Sequence, residues 1–437
     1  MSFLVLLGIF GCLAILLLLM LSVPVGFALM LVGCIGFAIA AGNPHAAYHL
    51  LVSVTYDNFS NYGLSVIPLF ILMGQLAFHA GISRRLFDAT FDWLGHLPGG
   101  LGLATMGACA GFGAICGSGP ASAATMASVA MPEMRRHGYD LPLGAGMVAA
   151  GSSLGILIPP SVVAIVYAVM TENSPARLFA ACVTPGLLIV ALFCLYILWL
   201  CHRRPKLCPV SAPAPWPVRF KSLLGILETL FLFLLVMGGM LAFGWFTPTE
   251  GAAVGAGGTL LIALCRRSLT WKKFRQALAE TIRTSCMVLV IVTGALIFGR
   301  FLAVTGLPAE LAQLLSDMPV SRYVTISIIL LFYMFAGCFV DALALIMLTV
   351  PIFLPVVSKL GFDLTWFGIM IVVIVQLGVI TPPVGVNVYV VGGIERGVRL
   401  EAIFQRAVPF ALLIVAAAIL LLIFPQIALW LPSALHI

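Results

Sequence analysis

The sequence predicts an all-α polytopic membrane protein made of two inverted-topology repeats, and three observations carry that expectation. Of the 437 residues, 62% are hydrophobic and 8% are charged, with a mean hydropathy of +1.18. A soluble domain carries roughly 25% charged residues. The apolar residues come in unalternated runs of about 20, the length of a crossing helix and not the period-two pattern of an outer-membrane strand. Two of these runs break alike, at Leu154-Gly155-Ile156-Leu157-Ile158-Pro159-Pro160 and Leu377-Gly378-Val379-Ile380-Thr381-Pro382-Pro383. Proline removes a backbone donor and clashes one turn back. The freed carbonyls must line a cavity if they lie within a bilayer, so paired breaks in two halves point to a transporter's binding region.

Five crossings are expected in each half. In the first they are 3–21, 24–41, 55–80, 142–171 and 178–200; in the second, 223–245, 249–265, 284–304, 363–392 and 405–425. The run at 3–21 lacks a basic N-terminal region and a small-residue cleavage site, which favours a membrane helix over a signal peptide. Residues 142–171 and 363–392 hold the double prolines and are expected to be broken helices. Between the third and fourth crossings lie the apolar stretches 98–131, broken at Gly117-Ser118-Gly119-Pro120, and 321–357, broken near Gly337. Each arm is short for a crossing, so each stretch is expected to be a re-entrant hairpin. Two amphipathic segments, 82–97 and 268–282, suit helices at the cytoplasmic interface.

The halves match in order: Pro24 with Pro248, Gly74 with Gly299, Gly81-Ile82 with Gly306-Leu307, Gly117 with Gly337, and Pro132 with Pro351. The double prolines follow, then Leu187-Leu188-Ile189-Val190 with Leu412-Leu413-Ile414-Val415, all at separations of 219 to 225 residues. A duplication is the simplest source of such a series. The expected units are a first repeat over 1–200, a basic Pro-rich cytoplasmic linker over 201–221 and a second repeat over 222–437.

Five crossings is an odd number, so the second half must be inverted. With both termini periplasmic, the cytoplasmic loops hold 18 of the 22 basic residues, leaving Arg177, Arg300, Arg322 and Lys359 elsewhere. That distribution obeys the positive-inside rule and accounts for the formal charge of +7 without nucleic acid.

The candidate ion ligands follow from the breaks. Gly117, Ser118, Pro120 and Ser122 form a small, hydroxyl-bearing tip, joined in the same half by Ser153 and Pro159. Gly337, Asp341, Thr381 and Pro382 are the counterparts in the second half. Hydroxyls and unpaired carbonyls suit a hard cation such as sodium. Asp341 stands out because a carboxylate at membrane depth is costly unless paired or hydrated. Helix N-termini favour an anionic substrate group, and Ser118, Ser122, Thr125, Ser161, Asn387 and Arg300 are the substrate candidates.

Other chemistries find little support. Gly151-Ser152-Ser153-Leu154-Gly155 matches the GxSxG elbow but lies in a membrane helix, without a strand or triad partners. There is no phosphate-binding GxxxxGK[ST] loop, so ATP hydrolysis is not expected. The 11 cysteines are scattered, and neither a disulfide framework nor a transition-metal site is expected.

Gly117-Ser118-Gly119-Pro120-Ala121-Ser122-Ala123-Ala124-Thr125, Met131-Pro132-Glu133-Met134-Arg135-Arg136-His137-Gly138-Tyr139 and Gly155-Ile156-Leu157-Ile158-Pro159-Pro160-Ser161 closely resemble the large membrane subunit of TRAP (tripartite ATP-independent periplasmic) transporters. Pro351-Ile352-Phe353-Leu354-Pro355 and Ile380-Thr381-Pro382-Pro383-Val384-Gly385-Val386-Asn387 extend the resemblance through the second half. Val375-Gln376 departs from it, where many members carry an asparagine-bearing stretch. The resemblance implies a secondary transporter of the ion transporter superfamily, with a scaffold and an elevator-type transport domain. It also implies sodium coupling, two sodium sites at the hairpin tips and helix breaks, a bacterial inner-membrane location and no other cofactor. The implied substrate is a small organic anion: a C4-dicarboxylate, sialic acid, keto acid or sugar acid. The implied partners are a small four-helix membrane subunit and a periplasmic substrate-binding protein. The chain opens directly on its first half, so the small subunit is expected as a separate polypeptide. The rivals are a stand-alone sodium/anion symporter of the same superfamily, an intramembrane hydrolase using Ser153 or Ser118, and a passive channel.

Overall fold

The computed structural model describes residues 2–316, 321–435 and 437; Met1 of the expected first repeat, and 317–320 and His436 of the second, lie outside the described residues. The described residues form helices and connecting turns, without a strand. In chain order the helices are α1 (Phe3–Met20), α2 (Val25–Ala41), α3 (Pro44–Ser60), α4 (Val66–His79), α5 (Ile82–Leu94), α6 (Gly100–Cys116), α7 (Gly119–Arg136), α8 (Leu141–Leu157), α9 (Val162–Met170) and α10 (Pro175–Arg203). They continue as α11 (Trp216–Leu241), α12 (Pro248–Cys265), α13 (Trp271–Thr305), α14 (Leu307–Ser316), α15 (Arg322–Gly337), α16 (Ala342–Lys359), α17 (Leu364–Gly378), α18 (Val386–Ile394), α19 (Leu400–Ile423) and α20 (Gln426–Ala434). Among the described residues, eight spans are long and apolar enough to cross a membrane, or nine with Trp216–Leu241. The chain is a polytopic α-helical membrane protein.

Several boundaries differ from expectation. The stretch expected as a crossing at 55–80 is divided: α3 ends at Ser60, a 3-10 turn spans Tyr62–Ser65, and α4 follows. The Asn61 side chain accepts from the Gly63 amide at 2.8 Å, an alternative to the helical ladder that stops α3. The opposite happens at 268–282. With no breaker between Trp271 and Thr305, this segment and the crossing at 284–304 form one 35-residue helix. The short helices α14 and α20 were not anticipated, and helical ends reduce the expected linker to 204–215. The arm Ala342–Lys359, expected to be short for a crossing, passes the length and hydropathy test for one. Cys201 and Cys208 are joined, with Cα atoms 5.6 Å apart; α10 and the turn after it bring together two cysteines expected to be free.

Two groups of helices share the core. In one, α2 packs on α13 and α4 on α12. In the other, α8 lies against α6, α7 and α19, while α17 lies against α15, α10 and α19. Every residue from Leu143 to Leu157 in α8 and from Thr365 to Gly378 in α17 is buried. A helix apolar on all sides belongs in such a central position.

The caps and ion pairs link the halves. Asp140 caps α8 by accepting from the Leu143 amide at 2.9 Å, and Asp363 caps α17 by accepting from Trp366 at 3.0 Å. Each capping carboxylate also meets an arginine from the other half: Arg406 lies 3.8 Å from Asp140, and Arg177 lies 3.3 Å from Asp363. A third cross-half pair joins Arg135 at the end of α7 to Glu395 after α18.

Candidate functional site

A cavity of about 780 Å3 is lined by α2, α4 and α13 on one side and by the two hairpin turns on the other. One wall carries Pro24, Gly26, Gln75, Cys286 and Ile291; the other carries Cys116 to Ala121 and Asp341 to Ala344. The first turn arises because Gly117 adopts a left-handed φ of +63°, which ends α6 and allows α7 to restart two residues later at Gly119-Pro120. Ser118 occupies the N-cap but makes no side-chain capping bond, so its hydroxyl is not spent on the first turn of α7.

Behind this turn, α8 stops and α9 begins. The buried Pro159-Pro160 peptide is cis, and Ser161 caps α9 by accepting from the Ala164 amide at 3.2 Å while donating to the Ile156 carbonyl. Gly155 packs closely against Gly113 and the turn, and two oxygens stand beside it. A Cβ there would lie 3.1 Å from Ser122 Oγ and 3.2 Å from the Ser118 carbonyl oxygen. Ser122 Oγ is buried and has no hydrogen-bond partner; the Cys116 thiol lies beside it without reaching hydrogen-bond geometry. Asn387 approaches the same turn from the second half. Its Nδ2 donates to the Ala149 carbonyl at 3.1 Å, while its buried Oδ1 is unpartnered. A Cβ at Gly119 would be 3.4 Å from that Oδ1. Leaving a buried polar atom unsatisfied costs about 1–3 kcal/mol. Two such oxygens and a carbonyl around one turn are chemically suited to a cation.

The counterpart in the second half is more tightly filled. A Cβ at Gly378 would stand 1.8 Å from the Gly337 carbonyl oxygen, so the end of α17 closes directly on the second turn. The Thr381 hydroxyl donates to the Leu377 carbonyl at 2.8 Å and lies 3.2 Å from Cys338 Sγ. Pro382 and Pro383, also joined by a cis peptide, are exposed where Pro159 and Pro160 are buried. Asp341 caps α16, accepting from the Leu343 amide at 3.1 Å, and among the described residues is the only charged one lining the cavity.

The remaining candidates separate by position. Gly117, Ser118, Pro120 and Asp341 line the cavity; Ser122 and Asn387 lie behind the first turn. Ser153 and Thr125 donate to Ala150 and Ala121 carbonyls on their own helices, at 2.7 and 2.8 Å. Ser161 belongs to the first break, and Gly337, Thr381 and Pro382 to the second. Arg300 is exposed on α13 and does not line the cavity, because the face bearing Ile297, Phe298 and Phe301 is the one that packs inward. Ser153 spends its hydroxyl on the Ala150 carbonyl, and among the described residues no histidine hydrogen-bonds to Ser118 or Ser153. The sequence alone did not single out Gln75 or Cys286, and it marked Gln376 only as part of the Val375-Gln376 departure from the family pattern. Gln376 is wholly buried on α17 with both amide atoms unpartnered; a lone amide in an apolar run was its available signal.

Comparison with known proteins agrees with this architecture. Residues 12–427 match the family model described as the tripartite ATP-independent periplasmic transporter, DctM component. The chain is 34% identical over 381 residues to the C4-dicarboxylate TRAP transporter large permease protein of Pseudomonas aeruginosa, covering 86% of this chain and 88% of that one. It is 33% identical over 433 residues to the sialic acid TRAP transporter large permease protein of Vibrio cholerae, covering 98% of each. Among solved structures, the Alcanivorax borkumensis YdaH transporter superposes with a TM-score of 0.60 at 15% identity, covering 89% of this chain and 90% of that one. At that identity the likeness concerns the fold.

Proposed function

Because the chain belongs to the DctM-component family of tripartite ATP-independent periplasmic transporters, whose members are inner-membrane permeases and not enzymes, we propose that it imports a small organic anion by sodium-coupled alternating access. The relatives act on a C4-dicarboxylate and on sialic acid by name, and this substrate is placed in the same broad class of organic acids. A periplasmic binding protein delivers it, and a separate small membrane subunit completes the transporter.

The observation that carries this reading is the cavity between the two hairpin turns and the α2/α4/α13 face. In this proposal α1 to α4 and α11 to α13 form the frame. The hairpins α6–α7 and α15–α16, with the broken helices α8–α9 and α17–α18, form the moving body. The two halves are inverted repeats, each hairpin entering from its own side. Sodium, as cargo, is held at the first turn, where Ser122 Oγ and the Ser118 carbonyl beside Gly155 and Asn387 Oδ1 beside Gly119 supply neutral oxygen donors. A second sodium is held near Thr381 and the Gly337 turn. The cavity has no basic lining residue, so the anion is met instead by the N-terminus of α7. There the Gly119 and Ala121 amides belong to the dipole-positive end of the helix. Excess positive charge on the sodium offsets the substrate's charge in a low-dielectric site.

Reconstitution tests this. The chain, its small membrane subunit and the binding protein are placed in proteoliposomes, and organic-acid uptake is followed with and without an inward sodium gradient. Uptake that requires the gradient and all three proteins is expected. Equal uptake without sodium overturns the coupling; full activity of the chain alone overturns the need for partners.

A further inference from the structure

Gly74 on α4 and Gly299 on α13 occupy matching places 225 residues apart, yet they meet different parts of the two hairpins. A Cβ at Gly74 would lie 3.0 Å from Cys116 Cα, 3.1 Å from the Cys116 carbonyl oxygen and 3.3 Å from that of Ile115. This glycine therefore touches the backbone of the first hairpin turn. A Cβ at Gly299 would face the Pro351 ring at 3.5 Å, an ordinary contact. Pro351 lies well along α16, away from its Asp341 cap. The nine residue steps from Ala342 to Pro351 correspond to about 14 Å of helix. The second turn, meanwhile, faces its own half: a Cβ at Gly337 would meet Leu345 and Val375, both near 3.8 Å. The first turn rests on the frame, while the second stands off from it. The cavity is lined by Pro24, Cys286 and Met287, which lie toward the side that the basic-residue pattern assigns to the cytoplasm.

Resting on the two-state reading above, we infer that Gly74 and Gly299 are positioning residues: alternating seats for the two hairpin turns, one occupied in each state. The structure is the state with Gly74 occupied and the cavity open to the cytoplasm. In the other state the relation is exchanged. The Gly337-Cys338 turn docks on Gly299, and Gly74 faces the middle of α7, after a slide of about 14 Å along the hairpin axis. A backbone-to-turn contact this close admits a methyl group only if one backbone gives way by a few tenths of an ångström, which makes the two glycines unequal in the present state. Alanine at Gly74 opposes the state seen here. Alanine at Gly299 fits it and opposes only the other.

Both effects are measurable with a native reporter. Cys286 is exposed and lines the cavity, whereas Cys265 is exposed at the end of α12 and does not line it. Inside-out membranes carrying the full transporter are treated with an impermeant maleimide, and both cysteines are quantified by peptide mass spectrometry. Gly299→Ala is expected to keep Cys286 labelling and to lose about tenfold in uptake rate, the scale of one small-to-large clash in a packed contact. Gly74→Ala is expected to lower Cys286 labelling several-fold with Cys265 unchanged. Wild-type uptake by Gly299→Ala, or Cys286 labelling in Gly74→Ala equal to wild type, overturns the seats. A several-fold fall of Cys286 labelling in Gly74→Ala, in a transporter whose wild-type form shows no sodium-driven uptake, supports the seats and removes the sodium reading instead.

Discussion

The side-chain amide of Asn387 donates to the main-chain carbonyl of Ala149, 3.1 Å away across 238 positions of sequence. One half of the chain thus supplies a polar group to the middle of the other's buried helix, and the same side chain keeps its Oδ1 free beside Gly119. A structural amide and an ion ligand can be told apart here, because sodium stabilises the folded form only if it binds there. For Asn387→Ala, the sodium-induced rise in melting temperature of the detergent-solubilised protein is expected to disappear. The melting temperature without sodium should fall only modestly, by the ~1 kcal/mol typical of one hydrogen bond. An unchanged sodium response would remove Asn387 from the ion site.

Asp341 combines two roles that substitution can separate. Asn is as good an N-cap as Asp, so Asp341→Asn should keep α16 intact while deleting the charge on the cavity wall. Thermal stability close to wild type, with a severalfold weaker apparent sodium affinity in uptake assays, is the expected outcome. Asp341→Ala adds the loss of the cap, about 1 kcal/mol. Identical uptake curves for wild type and Asp341→Asn would assign the carboxylate to capping alone.

The cross-half pairs Arg177–Asp363 and Arg406–Asp140 should respond asymmetrically. Their side chains are partly exposed, and such ion pairs contribute only ~0–1 kcal/mol. The aspartates are also caps for buried helices, which adds about 1 kcal/mol. Asp363→Ala and Asp140→Ala should therefore lower the melting temperature clearly more than Arg177→Ala and Arg406→Ala. Equal shifts from both partners would mean that the charge pair, not the cap, carries the stability.

Gly378 is expected to be the least tolerant of the glycines near the breaks. Its Cβ position overlaps the Gly337 carbonyl oxygen at 1.8 Å, and the obstructing atoms are all backbone of the Gly337–Cys338 peptide. Overpacking of this kind costs about 1–3 kcal/mol or more. Gly378→Ala should reduce the yield of folded protein or its melting temperature, whereas Gly393→Ala, with open space at its Cβ, should leave both unchanged. Size-exclusion profiles and thermal unfolding of the two variants check this directly.

Much of the helix map was legible because its punctuation is chemical. Pro159-Pro160 and Pro382-Pro383 cannot continue a helix, and the ends of α8 and α17 fall just before them. Gly117 marks the first hairpin turn for the same reason. The break between α3 and α4 was missed because it depends on a side chain, Asn61, folding back on the backbone within an otherwise acceptable apolar window. The continuity of α13 was missed because Arg283 looks like an interfacial charge when no neighbouring helix is in view. Site residues were harder. Ser118 and Asp341 could be chosen from their place at the breaks, but Arg300 could not be rejected until the inward face of α13 was known. Nothing in the linear order links Asn387 to Ala149, or Gly74 to Cys116; those relations exist only once the halves are packed.

Matched stretches of the two halves differ in stiffness. Residues 44–79 are jointed at Asn61 to Ser65, whereas Trp271–Thr305 is a single rod of 35 residues. Such a rod is about 52 Å long, against a hydrocarbon core of about 30 Å. Its first turns, with Lys272, Lys273 and Arg275, project into water, and it can meet a thinner bilayer only by tilting as a whole. The jointed member can instead bend at its turn. Stress from a change in membrane thickness will thus be relieved on one side of the duplicated frame and transmitted on the other, which makes the lipid surroundings a load on the machine as well as its solvent.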